Sequence, residues 1–155
     1  MSDRMLSDAY TDFVRAVEPR LGDALVAALG SDVGREATQE ALIYAWEHWA
    51  RVGAMDHPAA YLYRVGRSKA KRYWRKRRLF PDVPTDGMPL VEPGLAPALA
   101  RLSEKQRVTV LLVHGFGWTY AEVAEFLGVA LGTVQKHLER GMVNLRLDLE
   151  VDSGD

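Results

Sequence analysis

Nine of the fifteen residues from Arg64 to Arg78 are Lys or Arg, and none is Asp or Glu. Tyr61, Tyr63, Tyr73 and Trp74 are set among them. Cations at this density neutralise phosphates and release the counterions condensed on a nucleic acid. Aromatic faces between them offer platforms for unpaired bases, each worth about 1–3 kcal/mol. The combination predicts contact with single-stranded or melted nucleic acid rather than with duplex alone. The competing reading, a solvated helix face, explains the charge but not the aromatics or the missing acids.

Residues 119–140 carry a second pattern. Thr119-Tyr120-Ala121-Glu122 is a capping box, followed by a short apolar helix and Gly128-Val129-Ala130. Ala124 permits close crossing of two helices, Gly128 permits a left-handed turn, and Val134 packs the second helix on the first. This spacing predicts a helix-turn-helix whose second helix enters a major groove. An αα-hairpin inside a bundle has the same local signature. Gly132, Thr133, Gln135, Lys136 and Arg140 are its outward residues. Gln135 suits adenine, and Lys136 or Arg140 suits guanine or phosphate.

Nothing in the sequence predicts catalysis, a metal or a cofactor. The four histidines, His48, His57, His114 and His137, lack metal-ligand spacing, and there is no cysteine. No phosphate-binding glycine loop, Ser/His/Asp set or carboxylate pair is present.

These segments need helices to position them. The chain has 155 residues, net charge −1 and 48% hydrophobic residues. Without the cluster at 64–78 it keeps 11 basic against 21 acidic residues, so a basic stripe lies on an acidic body. Phe13, Val17, Leu21, Leu25 and Leu29 form an apolar stripe of helical period, with Pro19 as a predicted kink or restart. Gly30 is a predicted stop, and Ser31-Asp32 a predicted N-cap. Leu42, Ala45, Trp46, Trp49 and Val52 share a face, with both tryptophans expected in the core. Pro58 suits a first helical turn. Ser103-Glu104-Lys105-Gln106 is another capping box, ahead of the buried Val108, Leu111 and Leu112. Val134, Leu138, Met142 and Leu145 mark the inner face of a last helix.

Five of the seven prolines lie in residues 79–97, too dense for helix or strand. The reading is all-α: a helical domain at 1–78, a Pro-rich linker at 79–97, a helix-turn-helix domain at 98–149 and an acidic tail at 150–155. Fully extended, the linker spans on the order of 60 Å, approaching two turns of DNA. A polar, acidic N-terminus and the lack of an apolar run of roughly 18 residues predict a cytoplasmic protein without membrane insertion.

Three stretches together resemble a bacterial RNA polymerase sigma factor of the small extracytoplasmic-function group, over roughly Asp12–Leu147. They are ATQEALIYAWEHW (37–49), PAAYLYRVGRSKAKRYWRKRR (58–78) and LSEKQRVTVLLVHGFGWTYAEVAEFLGVALGTVQKHLERGMVNLR (102–146). The resemblance implies that the first binds the polymerase clamp, through Glu36, Gln39, Glu40 and Trp46. It implies that the second melts and binds the minus-ten element, through Tyr61, Arg64, Arg67, Ser68, Lys71, Arg72, Trp74 and Arg75. The third would bind the minus-thirty-five element, with Thr119 and Tyr120 joining Gly132, Thr133, Gln135, Lys136 and Arg140. The implied partners are core RNA polymerase, promoter DNA and an anti-sigma factor; the implied role is recognition, with no enzymatic activity.

The chain departs from the family at three points. Val33-Gly34-Arg35-Glu36 stands where an acidic cluster usually begins the clamp helix. Ser68 replaces a frequent Asn, and Ala130 a frequent capping Ser. Residues 51–57, the family's base-selecting loop, carry no readable pattern. The alternatives are a sigma-derived DNA-binding regulator that no longer engages polymerase, and a protein that sequesters an anti-sigma partner.

Overall fold

The structure, a computed structural model, describes residues 2–77 and 94–153, with side chains at 2–72 and 94–150. The described residues are helices and short connections. They are α1 (Asp3–Leu29), α2 (Ser31–Glu47), α3 (Trp49–Val52), α4 (Pro58–Arg77), α5 (Leu95–Arg101), α6 (Glu104–Val110), α7 (Tyr120–Leu127) and α8 (Leu131–Ser153). A π-helical turn, Leu111–Gly115, extends α6. Residues 79–93 of the expected linker lie outside the described residues. Leu95, Ala96 and Pro97, also assigned to it, are the first turn of α5. Pro97 fits there because early helical N–H groups need no intrahelical acceptor. Asp152 of the expected tail lies within α8.

Small residues set the first half. Leu21, Ala24 and Leu25 of α1, Ala37, Ala41 and Ala45 of α2, and Leu62 and Ala70 of α4 are buried. Gly34 lets α2 approach α1 so closely that a Cβ there would stand 2.6 Å from Val26 Cα. Gly66 likewise admits Leu25, whose Cδ1 lies 2.8 Å from a Cβ placed on it. Gly30, at φ 89°, separates α1 from α2. It serves as the N-cap of α2 without a side-chain bond, so Ser31 and Asp32 are helical and not caps. Pro19 does not restart α1, which runs through it. It is exposed, so the carbonyl it leaves unbonded can turn to water.

Trp46 is a further correction: it is 48% exposed, not core. α2 stops at Glu47, and His48 (φ −120°, ψ 30°) offsets α3. That break turns Trp49, but not Trp46, inward. Trp49 lies against Phe13, with ring centres 5.1 Å apart.

In the second half, Ser103 and Thr119 form both expected capping boxes. Gly128 adopts φ 69° after α7. Ala124, Val134, Leu138 and Leu145 are buried between α7, α8 and α6. Gly141 admits Val110, whose Cγ2 lies 2.9 Å from a Cβ placed there.

The halves pack together. Arg107 of α6 is buried. Its Nη2 donates to Ala28 O at 2.9 Å and its Nε to Ala27 O at 3.4 Å. These carbonyls lie in the last turn of α1, where helical acceptors lack partners and the helix dipole favours a cation. Trp118 Nε1 donates to Asp23 Oδ2 at 3.2 Å. Arg20 lies over the Trp118 ring at 5.0 Å and pairs with Glu122. Tyr63 meets Phe126 edge-on at 5.8 Å, and Phe126 meets Trp118 at 5.3 Å.

The two glycines of the α1–α2 hairpin should respond oppositely. Gly34→Ala forces backbone apart and should cost about 1–3 kcal/mol. Gly22, with nothing within 4 Å of an added Cβ, should accept Ala with a gain of up to about 1 kcal/mol. Chemical denaturation of the full chain reads both.

Candidate nucleic-acid interface

The first three turns of α4 divide its surface. Leu62, Tyr63, Gly66 and Ala70 face the core, leaving the charged positions at the flanks and outside. Ser68, Lys71 and Arg72 are exposed. Arg64 is exposed but turned toward the helix-turn-helix, its Nη2 3.7 Å from a Cβ placed on Gly128. Arg67 does not face open solvent. It pairs with Glu104 at 2.5 Å and lies 5.6 Å from the Tyr63 ring centre. Burial pushes the Tyr63 hydroxyl up to about 12. Trp74 and Arg75 lie in α4, with side chains outside the described residues.

Tyr61 lies on the opposite flank from Arg67, against α2 and α3. Its hydroxyl is 3.0 Å from the Tyr44 hydroxyl and accepts from Arg51 Nη1 at 3.1 Å. Arg51 Nη2 also donates to the Tyr44 hydroxyl. The bonds from Tyr44 and Arg51 lower the Tyr61 pKa. Tyr44 and Arg51 carry no local pattern that would mark them, since three separate elements bring the group together.

In α8, Gln135, Lys136 and Arg140 are exposed. Gly132 is exposed and Thr133 half-buried. Thr119 is a cap: its hydroxyl accepts from the Glu122 N–H at 3.1 Å, and its own N–H donates to Glu122 Oε1 at 3.2 Å. Tyr120 beside it is exposed. Arg20, then the Thr119 donors, lowers the Glu122 carboxyl pKa. A cleft of about 440 Å³ separates α4 from the second half, with Arg64, Arg67, Lys105, Thr133 and His137 among its walls.

On α2, Glu36, Gln39 and Trp46 are exposed and Glu40 is half-buried. Ile43, 57% exposed, extends the same face. Its spacing from Gln39 and Trp46 was available in the sequence, but an aliphatic residue there reads as core. Val33 and Gly34, at the lost acidic cluster, are half-buried and buried.

Among the described residues, a capped helical hairpin with an exposed polar second helix beside a basic helix fits an all-helical protein of the nucleic-acid-binding class. Comparison with known proteins narrows the class. The model of sigma-70 region 2 matches residues 34–80, and that of sigma-70 region 4 matches residues 95–145. The ECF RNA polymerase sigma factor SigL of Mycobacterium tuberculosis is 32% identical, over 74% of this chain and 73% of its own. The RNA polymerase sigma-E factor of Streptomyces antibioticus is 32% identical, over 75% and 70%. The chain belongs to the extracytoplasmic-function group of RNA polymerase sigma factors, which are initiation factors and not enzymes.

Two solved structures share the fold. The sigma factor RpoE of Bartonella quintana, in complex with the anti-sigma factor NepR, gives a TM-score of 0.61 at 22% identity, covering 92% of this chain and 98% of its own. CnrH, in complex with the cytosolic domain of CnrY, gives 0.59 at 22% identity, covering 97% and 98%.

The cleft has a pH signature. Burial first, then Lys105, Arg140 and Lys136, lowers the His137 pKa below its ordinary 6.5. The folded state therefore holds fewer protons than the unfolded state. Stability present above the unfolded pKa is lost as pH falls through the lowered one. From about pH 7.5 to about pH 5, thermal midpoints should fall more steeply for the wild type than for His137→Gln.

Proposed function

We propose that this sigma factor binds core RNA polymerase through the α2 face of Glu36, Gln39, Glu40 and Trp46, to which Ile43 adds apolar area. Residues 1–78 receive the minus-ten element as it opens, and residues 98–149 read the minus-thirty-five element as duplex. Gln135, Lys136 and Arg140 face the major groove; Gly132 lets the phosphate backbone approach. Thr133 stands at the groove edge, and Thr119 and Tyr120 lie where α7 crosses the backbone. On α4, Tyr61, Ser68, Lys71, Arg72, Trp74 and Arg75 meet the melted strand. Arg64 and Arg67 meet phosphate once the two halves separate, Arg67 exchanging the Glu104 carboxylate for it. The linker, near 79–93, sets the spacing between the two elements. The protein works in the cytoplasm, and a partner of the anti-sigma class binds it, as the anti-sigma factor NepR binds RpoE of Bartonella quintana.

The observation that carries this reading is the capped α7–Gly128–α8 unit. It buries Ala124 and Val134 and leaves Gln135, Lys136 and Arg140 exposed. An αα-hairpin in a bundle would share that polar outer face; the match of residues 95–145 to sigma-70 region 4 favours the helix-turn-helix.

The test is run-off transcription with core polymerase of the source organism and fragmented genomic DNA. Defined new transcripts are expected. Silence, with a folded protein that does not bind polymerase, moves the assignment to a sigma-derived regulator and makes positions 33–36 the suspects. Gln135→Ala should shift preference at one base pair of the upstream element by about 1–3 kcal/mol. Lys71→Ala and Arg72→Ala should instead weaken promoter binding uniformly, each reducing the salt slope by about one. Competition among variant promoters and a salt titration read these outcomes.

A further inference from the structure

The notable group outside the assigned positions is the one around Arg51. This residue lies at the end of α3, where the 51–57 loop begins. Its guanidinium donates to the hydroxyls of Tyr44 on α2 and Tyr61 on α4. It also lies over both rings, 5.9 Å from the Tyr44 centre and 5.4 Å from that of Tyr61. Lys69, two turns after Tyr61, stands 5.8 Å from the Tyr44 ring. His48 stacks on Tyr44 at 4.1 Å and 23°.

Two physical points separate this arrangement from an ordinary surface contact. First, among the described residues the Arg51 charge is met by hydroxyls and ring faces and by no carboxylate. Arginine offers five N–H donors, and the two hydroxyls engage only part of that fork. The rest is at the surface, since Arg51 is exposed. Second, the bonds fall on the tip of Tyr61. A tyrosine tied only at its root rotates freely about its side-chain bonds. One tied at its hydroxyl from two directions has its tip fixed, and the Arg51 guanidinium over the ring at 5.4 Å restrains the rotation that remains about the axis through that hydroxyl. A set ring loses less entropy when a base stacks on it.

We propose that Arg51 and Tyr44 are positioning residues for promoter opening: they hold the Tyr61 ring to receive an unpaired base, while Arg51 and Lys69 face the phosphates of the same strand. This rests on the sigma-factor reading above. It also assigns the melted strand to the flank of α4 that meets α2 and α3, so stacking on Tyr61 does not require Arg67 to leave Glu104, although Tyr61 also borders a cavity with Ala124 and Gly128 of the second half.

The test uses polymerase holoenzyme on a promoter carrying a fluorescent adenine analogue in the minus-ten region. Tyr44→Phe keeps the ring and removes the hydroxyl; Arg51→Lys keeps the charge and loses the fork. Each should reduce opening about three- to tenfold, the loss of about one net hydrogen bond. Binding to a duplex minus-thirty-five fragment should be unchanged, and the thermal midpoint should fall by no more than the few degrees that one lost hydrogen bond accounts for. In a Tyr61→Ala background, where no ring remains to hold, neither should reduce opening much further. Wild-type holoenzyme that opens the promoter no better than either variant overturns the proposal alone. So do losses that add in full to that of Tyr61→Ala, or that come with weakened binding to the duplex fragment. A wild-type protein that opens no promoter overturns the sigma-factor reading, and this proposal with it.

Discussion

A buried guanidinium holds the two halves of this chain in register. Removing Arg107 from water costs several kcal/mol unless its donors find acceptors. Burial accordingly lowers its pKa, while Glu104 and Tyr63 oppose that shift. The acceptors are the end carbonyls of α1, which need donors for their own reasons. Each side thus meets a deficit in the other, 79 residues away in sequence. The contact also sets direction, because a guanidinium fork satisfies only a narrow range of placements. With α6 placed on the end of α1, Trp118 reaches Asp23 and Phe126 reaches Tyr63. Burial raises the Asp23 carboxyl pKa, and the bond from Trp118, then the charge of Arg20, offset part of that.

Helix approach is the other constraint. Glycine and alanine at positions 24, 34, 37, 41, 66 and 70 let α1, α2 and α4 pack with little side-chain volume between them. Long aliphatic residues there would hold α4 away, and the ring of Tyr61 would not reach Tyr44 and Arg51. Arg64, Lys71 and Arg72 of α4 are accessible because its core-facing positions are small or apolar. Charge is not buried along with the helix.

The consequence for recognition is a division of labour along and around α4. One flank, with Arg64 and Arg67, meets the helix-turn-helix across a shared cleft. The other carries Tyr61 and Lys69 and meets α2 and α3. Arg64 and Arg67 share their cleft with Thr133 of α8, and Tyr61 borders a second cavity with Gly128, so the two flanks of α4 differ in how closely they meet the second half.

By itself the sequence determined the elements whose causes are local. Both capping boxes, Pro58 at the start of α4, the Gly128 turn and the inner face of α8 arise from neighbours within a few residues. Such hydrogen bonds and φ preferences act before any tertiary contact forms. Resemblance then supplied the family and the order of its parts. Tertiary structure decided what depends on residues far apart. Pro19 stays inside α1 because burial of Leu21, Ala24 and Leu25 beyond it outweighs one lost hydrogen bond. Trp46 faces outward with α2, and a break at His48 turns only Trp49 inward by shifting the register of α3 against that of α2. Arg67 faces Glu104 and not open solvent, and Tyr61 is tied to Arg51, because helices distant in sequence meet there. A helical period says that one face is buried; only packing says which neighbour covers each flank.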